Sequence, residues 1–320
     1  MSPTNPRILP YGQAAIAEAA ALIRAGGCVA VPTETVYGLA ADATDSRAVA
    51  AVYEAKGRPS FNPLIVHVRD LAAAEAIAAF DARARALAER FWPGPLTLVL
   101  PVRPSGGISS LVTAGLETVA VRVPAHRAMQ ALLAAVGVPL AAPSANASGA
   151  ISPTRAAHVA ASLAGRIPLV IDDGATSQGI ESTIVREVFG QTSVLRHGPI
   201  TVEMLRAVVP HEIGVPPERF IDEQDVQAAG QLASHYAPAK PLRIGAPRAA
   251  DDEWLIGFGA TAGDDTLSAS GDLVEAAARL FDALHRADAS ARPRIAVAPV
   301  PIDGLGAAIN DRLRRAAHTG

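Results

Sequence analysis

The sequence contains one cysteine, Cys28, among its 320 residues. A single thiol excludes an internal disulfide and any cysteine-rich zinc or iron–sulfur site, and it fits a reducing, cytoplasmic environment. No run of 18 or more apolar residues occurs, so no transmembrane helix and no membrane partner are expected. The first ten residues lack a basic segment followed by an apolar one, which predicts no signal peptide.

Lysine and aromatic residues are also scarce. Only Lys56 and Lys240 are lysines among 28 cationic side chains, and aromatic residues make up 4% of the chain. The formal net charge of −3 argues against a protein held on nucleic acid by bulk charge, so stable nucleic-acid binding is not expected. Because arginine is the general cation here, the two lysines are candidates for positions that need a compact ammonium group, although chance retention explains them as well.

Apolar residues are abundant, at 50% of the chain, and they form helix-like and strand-like segments in alternation. This pattern predicts an α/β or α+β domain of about 200 residues, a polar linker over 210–240 and a small βαβ-like second domain. Within the first domain we expect a loop over 32–40 and a helix that opens at Pro153 and runs to about residue 163.

The expected loop over 32–40 follows an apolar strand and carries Thr33, Glu34, Thr35 and Tyr37. Loops at strand ends are where α/β folds bind ligands. An ordinary turn around a packed tyrosine fits the same pattern, so the segment alone does not decide between them.

Lys56 and Arg58 flank a glycine, and two cations so placed can converge on one anion such as phosphate. A solvated helix end is the plainer reading of the same residues. His67 lies in an apolar strand, where a core histidine is more common than a ligand. Arg122 and Arg196 also lie on apolar strands, and a buried arginine needs either an anionic ligand or a structural carboxylate.

The segment 142–154 contains Ser144, Asn146, Ser148 and Ser152. Small hydroxyl and amide side chains with free backbone N–H groups suit phosphate or carboxylate binding, although a polar connector would have the same composition.

Further along, Asp172 and Asp173 end another strand. Such an acidic pair could help to hold Mg²⁺, but a β-turn with surface carboxylates is the favoured interpretation.

Taken in order, the segments PTETVYGL, KGRP, NPL, WPGPLT, PSAN, STIV and LRHG resemble the YrdC-like family. With the segment SHYAP and a small domain after it, the chain resembles the two-domain threonylcarbamoyl-AMP synthases of that family. The resemblance covers residues 10–240 and depends beyond them on length and placement.

The resemblance implies a YrdC-like twisted mixed-sheet domain over 1–210, an interdomain linker or lid over 211–241 and a small Rossmann-like domain over 242–320. It implies a nucleotidyltransferase that converts L-threonine, bicarbonate and ATP, with Mg²⁺, into threonylcarbamoyl-AMP and pyrophosphate. Such a product supplies the tRNA threonylcarbamoyl-transferase machinery that makes threonylcarbamoyladenosine.

The same resemblance assigns roles to residues of this chain. It implies that the residues acting on the ATP phosphates and the carbamate in catalysis are Lys56, Arg58, Ser144 and Asn146. It implies further contacts to ATP from Ser60, Thr118, Ser152, Arg196 and Tyr236. It implies that L-threonine is bound by Thr33, Thr35, Tyr37, His67, Arg122, Ala142 and Ser182, with Arg122 as the partner of the amino-acid carboxylate. No protein ligand to a metal is assigned.

The segment SHYAP offers a lid. Carbamates and acyl-adenylates hydrolyse easily, so water must be excluded, and we expect Tyr236 to close over ATP with His235 and Lys240 nearby. The chain departs from the family just before this segment, where Ala229-Gly230-Gln231-Leu232 replaces a Pro-Gly-Met-like sequence.

Two other functions fit the same fold. An RNA-binding protein would use the positive concave face of the family, but the net charge and the few aromatic residues count against it. A non-catalytic sensor of threonine or nucleotide would have no need of Lys56, Arg58, Ser144 and Asn146.

Overall fold

The structure, a computed structural model, describes residues 5–59, 61–210, 213–215, 226–231 and 235–318. Within these residues the chain forms a mixed sheet of eleven strands and a second, parallel sheet of four, both accompanied by helices. The α/β fold class predicted from the sequence is confirmed. Among the helices of this part of the chain, none has both the length and the apolar character that a membrane crossing needs.

The large sheet is built from short, buried strands. They are β1 (Arg7–Pro10), β2 (Val29–Pro32), β3 (Tyr37–Asp42), β4 (Ile65–His67), β5 (Leu96–Pro101), β6 (Thr118–Arg122), β7 (Leu140–Ala141), β8 (Leu169–Asp172), β9 (Thr183–Val188), β10 (Gln191–Arg196) and β11 (Ile213–Gly214). Their order across the sheet is β1-β8-β2-β3-β7-β4-β6-β5-β9-β10-β11. Because β4 and β6 run parallel with His67 opposite Arg122, these two side chains end their strands at the same edge.

Helices accompany this sheet and set where its loops begin. They are α1 (Gln13–Arg24), α2 (Ser46–Lys56), α3 (Leu71–Ile77), α4 (Ala82–Phe91), α5 (Ser110–Thr113), α6 (Arg127–Val136), α7 (Ala156–Ser162) and α8 (Val202–Arg206). The Asp45 carboxylate caps α2 by accepting a bond from the N–H of Arg47. The helix ends at Gly57, whose left-handed φ of 60° lets the chain turn sharply between Lys56 and Arg58.

The second sheet contains β12 (Leu242–Arg243), β13 (Glu253–Gly257), β14 (Asp265–Thr266) and β15 (Arg294–Val297), in the order β12-β15-β13-β14. Two long helices, α9 (Leu273–Ala289) and α10 (Leu305–Ala317), pack their apolar faces against it. Phe281, Leu284 and Ile295 are completely buried in that core.

The two parts of the chain share one apolar cluster. Val36, Ile151 and Ile180 from the large-sheet part pack with Tyr236 and with Phe281 of α9. The second sheet and its helices are therefore a wall of the region where the β2–β3 turn lies, and not a separate appendage.

Three sequence-based expectations differ from the structure. The loop expected over 32–40 is short, because β3 begins at Tyr37 and pairs with β2 in an antiparallel hairpin. The helix expected to open at Pro153 begins at Ala156, since the carbonyl of Pro153 accepts the N–H of Tyr37 and holds that segment extended. Strands β1, β11 and β14 and the short helix α5 were not expected, and β11 lies within the segment predicted to be a linker over 210–240.

Substitution of Gly179 tests how closely α9 packs against the large-sheet part of the chain. Its φ is +68°, and an added Cβ would lie 2.3 Å from the carbonyl oxygen of Ala278. At Gly137 φ is +80° and nothing lies within 4 Å of such a Cβ. Both substitutions to alanine lose about 1 kcal/mol to backbone strain. Gly179→Ala should lose roughly a further 1–3 kcal/mol to overpacking. Thermal unfolding should show the larger fall for Gly179→Ala, and equal falls would contradict the close packing.

Candidate active site

A cleft lies where the β2–β3 turn meets the ends of β4, β6 and β10. Residues from separate segments of the chain converge on it, and the predicted site residues on its wall are Thr33, Thr35, Arg58, His67, Arg122, Ala142, Ser144, Ser182, Arg196 and Tyr236. Most of these residues are buried, so the wall of the cleft consists largely of desolvated polar and charged groups.

The β2–β3 turn presents two hydroxyl groups in a fixed geometry. Thr33 Oγ1 accepts the backbone N–H groups of Thr35 and Val36, both at 3.2 Å, and lies 2.8 Å from Thr35 Oγ1. This side-chain-to-backbone pattern stabilises the turn itself. Arg122 Nη1 then donates to Thr35 Oγ1 at 2.9 Å, which ties the turn to the end of β6.

Arg122 has a structural carboxylate as its partner, one of the two alternatives that the sequence left open. Its Nη2 donates to Glu34 Oε1 at 2.6 Å, and its Nε donates to the carbonyl of Gly94 at 3.1 Å. With the bond to Thr35, three of the five N–H donors are used. Burial and the adjacent Arg122 charge lower the pKa of His67 to about 3, so this imidazole is neutral at physiological pH.

Three buried cations have no carboxylate partner among the described residues. Arg58 donates to the backbone of Asn62 and Pro63 and to the side-chain oxygen of Asn62. Arg196 donates to Ser182 and to the carbonyl of Ala229. Lys56 donates to two carbonyls. Carbonyl and hydroxyl oxygens solvate these groups without neutralising them.

Lys56 braces the turn that follows β7. Its Nζ lies 2.5 Å from the carbonyl oxygen of Ser144 and 2.6 Å from that of Asn146, and its own carbonyl accepts the N–H of Ser148. The ammonium group therefore lies behind the cleft wall and fixes the backbone of the turn, with one of its three donors unused by these bonds.

Burial without a carboxylate partner among the described residues lowers the pKa of Lys56, Arg58 and Arg196. Burial, followed by the neighbouring Arg58, lowers the pKa of Lys56 well below its ordinary 10.5. Burial lowers the pKa of Arg58 to about 10 and also lowers the pKa of Arg196. An anion that enters the cleft would remove this penalty, because an opposite charge at close range favours the charged form.

Glu181 is the carboxylate on the cleft wall that the sequence analysis did not select. It accepts a hydrogen bond from Ser152 and lies 3.0 Å from the Nε of Arg312, a residue of α10. Both its partners come from distant parts of the sequence, and one more arginine on an amphipathic helix gives no signal in a chain with 26 arginines. Glu34 was noted in the sequence, but its pairing with Arg122 was not foreseen.

Three buried side-chain atoms of the cleft wall have no hydrogen-bond partner in the described part of the chain: His67 Nδ1, His235 Nδ1 and Tyr236 Oη. Other such atoms, among them Asn62 Nδ2, Asn146 Oδ1 and Arg312 Nη2, belong to residues off the wall. Buried polar groups are normally satisfied, so a polar ligand in the cleft would complete the three on the wall.

His235 and Tyr236 line one side of the cleft, whereas Lys240 does not line it. Tyr236 is fully buried at a φ of +63° and packs beside Phe281. Lys240 Nζ instead donates to the last carbonyls of α9, at Ala287 and Ser290. Its ammonium group caps that helix end, so the second lysine is structural.

Other predicted site residues lie off the wall. Asn146 and Ser152 are buried behind it, bonded to Lys56 and Glu181. Tyr37 lies in the core, where its hydroxyl donates to the carbonyl of Gly174 at 2.7 Å, so it does not line the cleft. Thr118 begins β6, at the end opposite to Arg122. Ser60 lies outside the described residues.

The acidic pair at the end of β8 is engaged elsewhere. Asp173 pairs with Arg127, and Asp172 accepts the N–H of Gly174 at 3.0 Å. In the described ranges no group of three or more histidine, cysteine, aspartate or glutamate side chains is placed to hold a metal ion. The donor set does not fit a dedicated protein site for Mg²⁺.

Comparison with known proteins gives one consistent result. A family model described as telomere recombination matches residues 21–198, and a model described as the C-terminal domain of threonylcarbamoyl-AMP synthase matches residues 200–318. The threonylcarbamoyl-AMP synthase of Bacillus subtilis is 42% identical over 94% of this chain and 92% of its own length. A crystal structure of Pyrococcus abyssi Sua5 complexed with L-threonine matches with a TM-score of 0.89 at 37% identity, covering 98% of both chains.

The lowered pKa of Lys56 predicts proton uptake when an anion binds. Binding raises that pKa again, so between the value in the empty protein and 10.5 the complex holds more protons. Titration calorimetry with ATP at pH 9, in two buffers of different ionisation enthalpy, should show a net uptake of protons that is smaller in Lys56→Met than in the wild type. Equal proton uptake in both proteins would contradict the assignment to Lys56.

The same lowered pKa affects stability. The unfolded chain binds more protons than the folded chain in this pH window, so the free energy of unfolding rises with pH there.

Proposed function

The chain belongs to the threonylcarbamoyl-AMP synthase family, and on that premise we propose that it converts L-threonine, bicarbonate and ATP into threonylcarbamoyl-AMP and pyrophosphate. The observation that carries this proposal is the set of three buried cations, Lys56, Arg58 and Arg196, that lack carboxylate partners among the described residues. They lie beside a hydroxyl-lined pocket built around Arg122. A polyanion and an amino acid are complementary to these two halves of one cleft.

The reaction joins two anions. The neutral amine of threonine and bicarbonate first give an N-carboxylate and water. A carboxylate oxygen of this carbamate then attacks the α-phosphorus of ATP, the bond to the bridging oxygen breaks, and pyrophosphate leaves with that electron pair. The nucleophile already carries its charge, so no side chain needs to take a proton from it in this step. The protein contributes by positioning the reactants and by stabilising negative charge.

The ATP phosphates are assigned to Arg58, Arg196 and the turn at Ser144 and Asn146. Lys56 acts mainly by fixing that turn, since two of its donors are bonded to the turn carbonyls. The roles of Ser152, Thr118 and Ser60 toward ATP depend on the family resemblance. For Ser152 the bond to the wall residue Glu181 adds support.

L-threonine is assigned to Thr33, Thr35, His67, Ala142 and Ser182, with its carboxylate at Arg122. The two N–H donors of Arg122 that are not used by Glu34, Thr35 and Gly94 suit a second carboxylate. Neutral His67 adds no positive charge here. Tyr37 supports this pocket from the core by holding β3 to the loop at Gly174.

The proposal also covers the metal ion, the fate of the product and the division into domains. Mg²⁺ enters with the ATP phosphates as part of the nucleotide substrate, because the protein offers no dedicated carboxylate cluster in its described residues. The product passes to the tRNA threonylcarbamoyl-transferase machinery in the cytoplasm. We retain the division into a catalytic domain over 1–210, a linker or lid over 211–241 and a C-terminal domain over 242–320.

Release of pyrophosphate from ATP tests the reaction. The protein is assayed with and without L-threonine and with and without bicarbonate, and Arg58→Met serves as the impaired control. The proposal expects rapid release only when both are present. Removing one charge-stabilising donor typically lowers kcat by about 10²–10³-fold, so Arg58→Met should fall to that extent. Release that needs neither threonine nor bicarbonate would refute the proposal.

The lid makes a separate prediction. Tyr236→Ala should fold normally but give less threonylcarbamoyl-AMP per pyrophosphate released, because water reaches the adenylate in an uncovered cleft and hydrolyses it after pyrophosphate has left. Tyr236→Phe keeps the ring against Phe281 and should retain the wild-type ratio. The measurement is chromatographic quantification of both products, and an unchanged ratio in Tyr236→Ala would exclude the lid role.

A further inference from the structure

Arg312 is a completely buried arginine, although it belongs to α10 and is far in sequence from the cleft. Among the fully buried side chains of the described residues it is the largest. A buried guanidinium has to be matched to its surroundings, so its partners indicate what it does.

Most of these partners lie at the cleft, and Arg312 Nη1 also donates to Oδ2 of the neighbouring Asp311 at 3.0 Å. Arg312 Nε lies 3.0 Å from Glu181 Oε2, and Arg312 Nη1 donates to the carbonyl of His197 at 2.7 Å. The guanidinium carbon lies 5.4 Å from the centroid of the Tyr236 ring. One side chain of the C-terminal domain thus contacts the wall carboxylate, the residue after Arg196 and the lid.

The pairing of Arg312 with Glu181 affects ATP binding because Glu181 carries a negative charge. Glu181 is on the cleft wall next to Ser182 and near the cations assigned to phosphate. An uncompensated carboxylate there would repel ATP, and leaving one member of a buried ion pair alone is strongly unfavourable. Arg312 neutralises this carboxylate, which leaves Glu181 bonded to Ser152. The positive charges of Arg58 and Arg196 are then available to the nucleotide.

We propose that Arg312 is a positioning residue for the reaction: through Glu181, the 197 carbonyl and Tyr236, it makes ATP binding in the catalytic domain depend on the docked C-terminal domain. The inference rests on the proposed function, which supplies ATP as the ligand. It assigns to the C-terminal domain a direct role in nucleotide binding.

The matched control is another ion pair between the two parts of the described chain. Arg155 Nε lies 2.9 Å from Asp282 Oδ1, but the Arg155 side chain is 52% exposed whereas that of Arg312 is 0% exposed. Neither Arg155 nor Asp282 lines the cleft. Exposed pairs contribute little, so Arg155→Met removes a contact between the two parts without changing the charge of the site.

The experiment compares Arg312→Met, Arg312→Lys, the double variant Arg312→Met/Glu181→Gln and Arg155→Met in the full chain. For each we would measure the melting temperature, the calorimetric affinity for ATP, the affinity for L-threonine alone, and kcat and KM for pyrophosphate release. Arg312→Met should weaken ATP binding roughly tenfold or more, as expected for a buried charge left unpaired. Threonine affinity should stay unchanged. Arg312→Lys and the double variant should recover most of the ATP affinity, and Arg155→Met should match the wild type.

Recovery in the double variant is the decisive result, because removing the Glu181 charge restores binding only if that charge was the obstacle. If ATP affinity, threonine affinity and melting temperature fall together, or the double variant is no better than Arg312→Met, Arg312 only fastens the domains and the inference fails. If Arg312→Met does not fold, the double variant is compared with the wild type: a near wild-type ATP affinity supports the inference, and a tenfold loss contradicts it. Absence of threonine-dependent and bicarbonate-dependent release in the wild type would refute the proposed function instead, since ATP affinity is measured separately.

Discussion

The structure depends on an unbalanced positive charge buried beside a cleft. Lys56, Arg58 and Arg196 are buried with only carbonyl, hydroxyl and amide oxygens as their partners in the described residues, and each has a lowered pKa as a result. Withdrawing a cation from water without a counter-ion is unfavourable by several kcal/mol. The fold tolerates this because these oxygens are held in place by strand ends and turns. The consequence is a preorganised site in which a polyanion gains the full strength of interactions that water does not screen.

The half of the cleft around Arg122 has a different charge balance. Arg122 is neutralised by Glu34 and oriented by Thr35, so the charge at that end is small while donors remain for an amino-acid carboxylate. Arg122 is paired with a carboxylate, whereas Lys56, Arg58 and Arg196 have no carboxylate partner in the described residues. This difference in charge distinguishes an amino-acid end of the cleft from a phosphate end. Both ends open into one cleft lined largely by buried residues, which suits a reaction whose carbamate and adenylate must be kept from water.

The sequence predicted the fold class, the order of the main strands and helices and most of the residues on the cleft wall. Local patterns carried the fold class and the loops at strand ends, and the family resemblance carried the assignment of residues such as Ala142 and Ser182 to the site. What could not be predicted depends on long-range geometry. The bond from Tyr37 to the loop at Gly174, the helix-capping role of Lys240 and the pairing of Glu181 with Arg312 join residues more than 45 positions apart. The start of α7 was misplaced because pairing of Pro153 with β3 outweighs the tendency of proline to open a helix.

The most direct test of this account is a crystal structure with L-threonine and a non-hydrolysable ATP analogue. We predict that the triphosphate lies within hydrogen-bond distance of the guanidinium groups of Arg58 and Arg196 and of the turn at Ser144, with Tyr236 beside the nucleotide. A triphosphate bound elsewhere, with Arg58 and Arg196 keeping only their present protein partners, would contradict the claim that the buried cations form the nucleotide site.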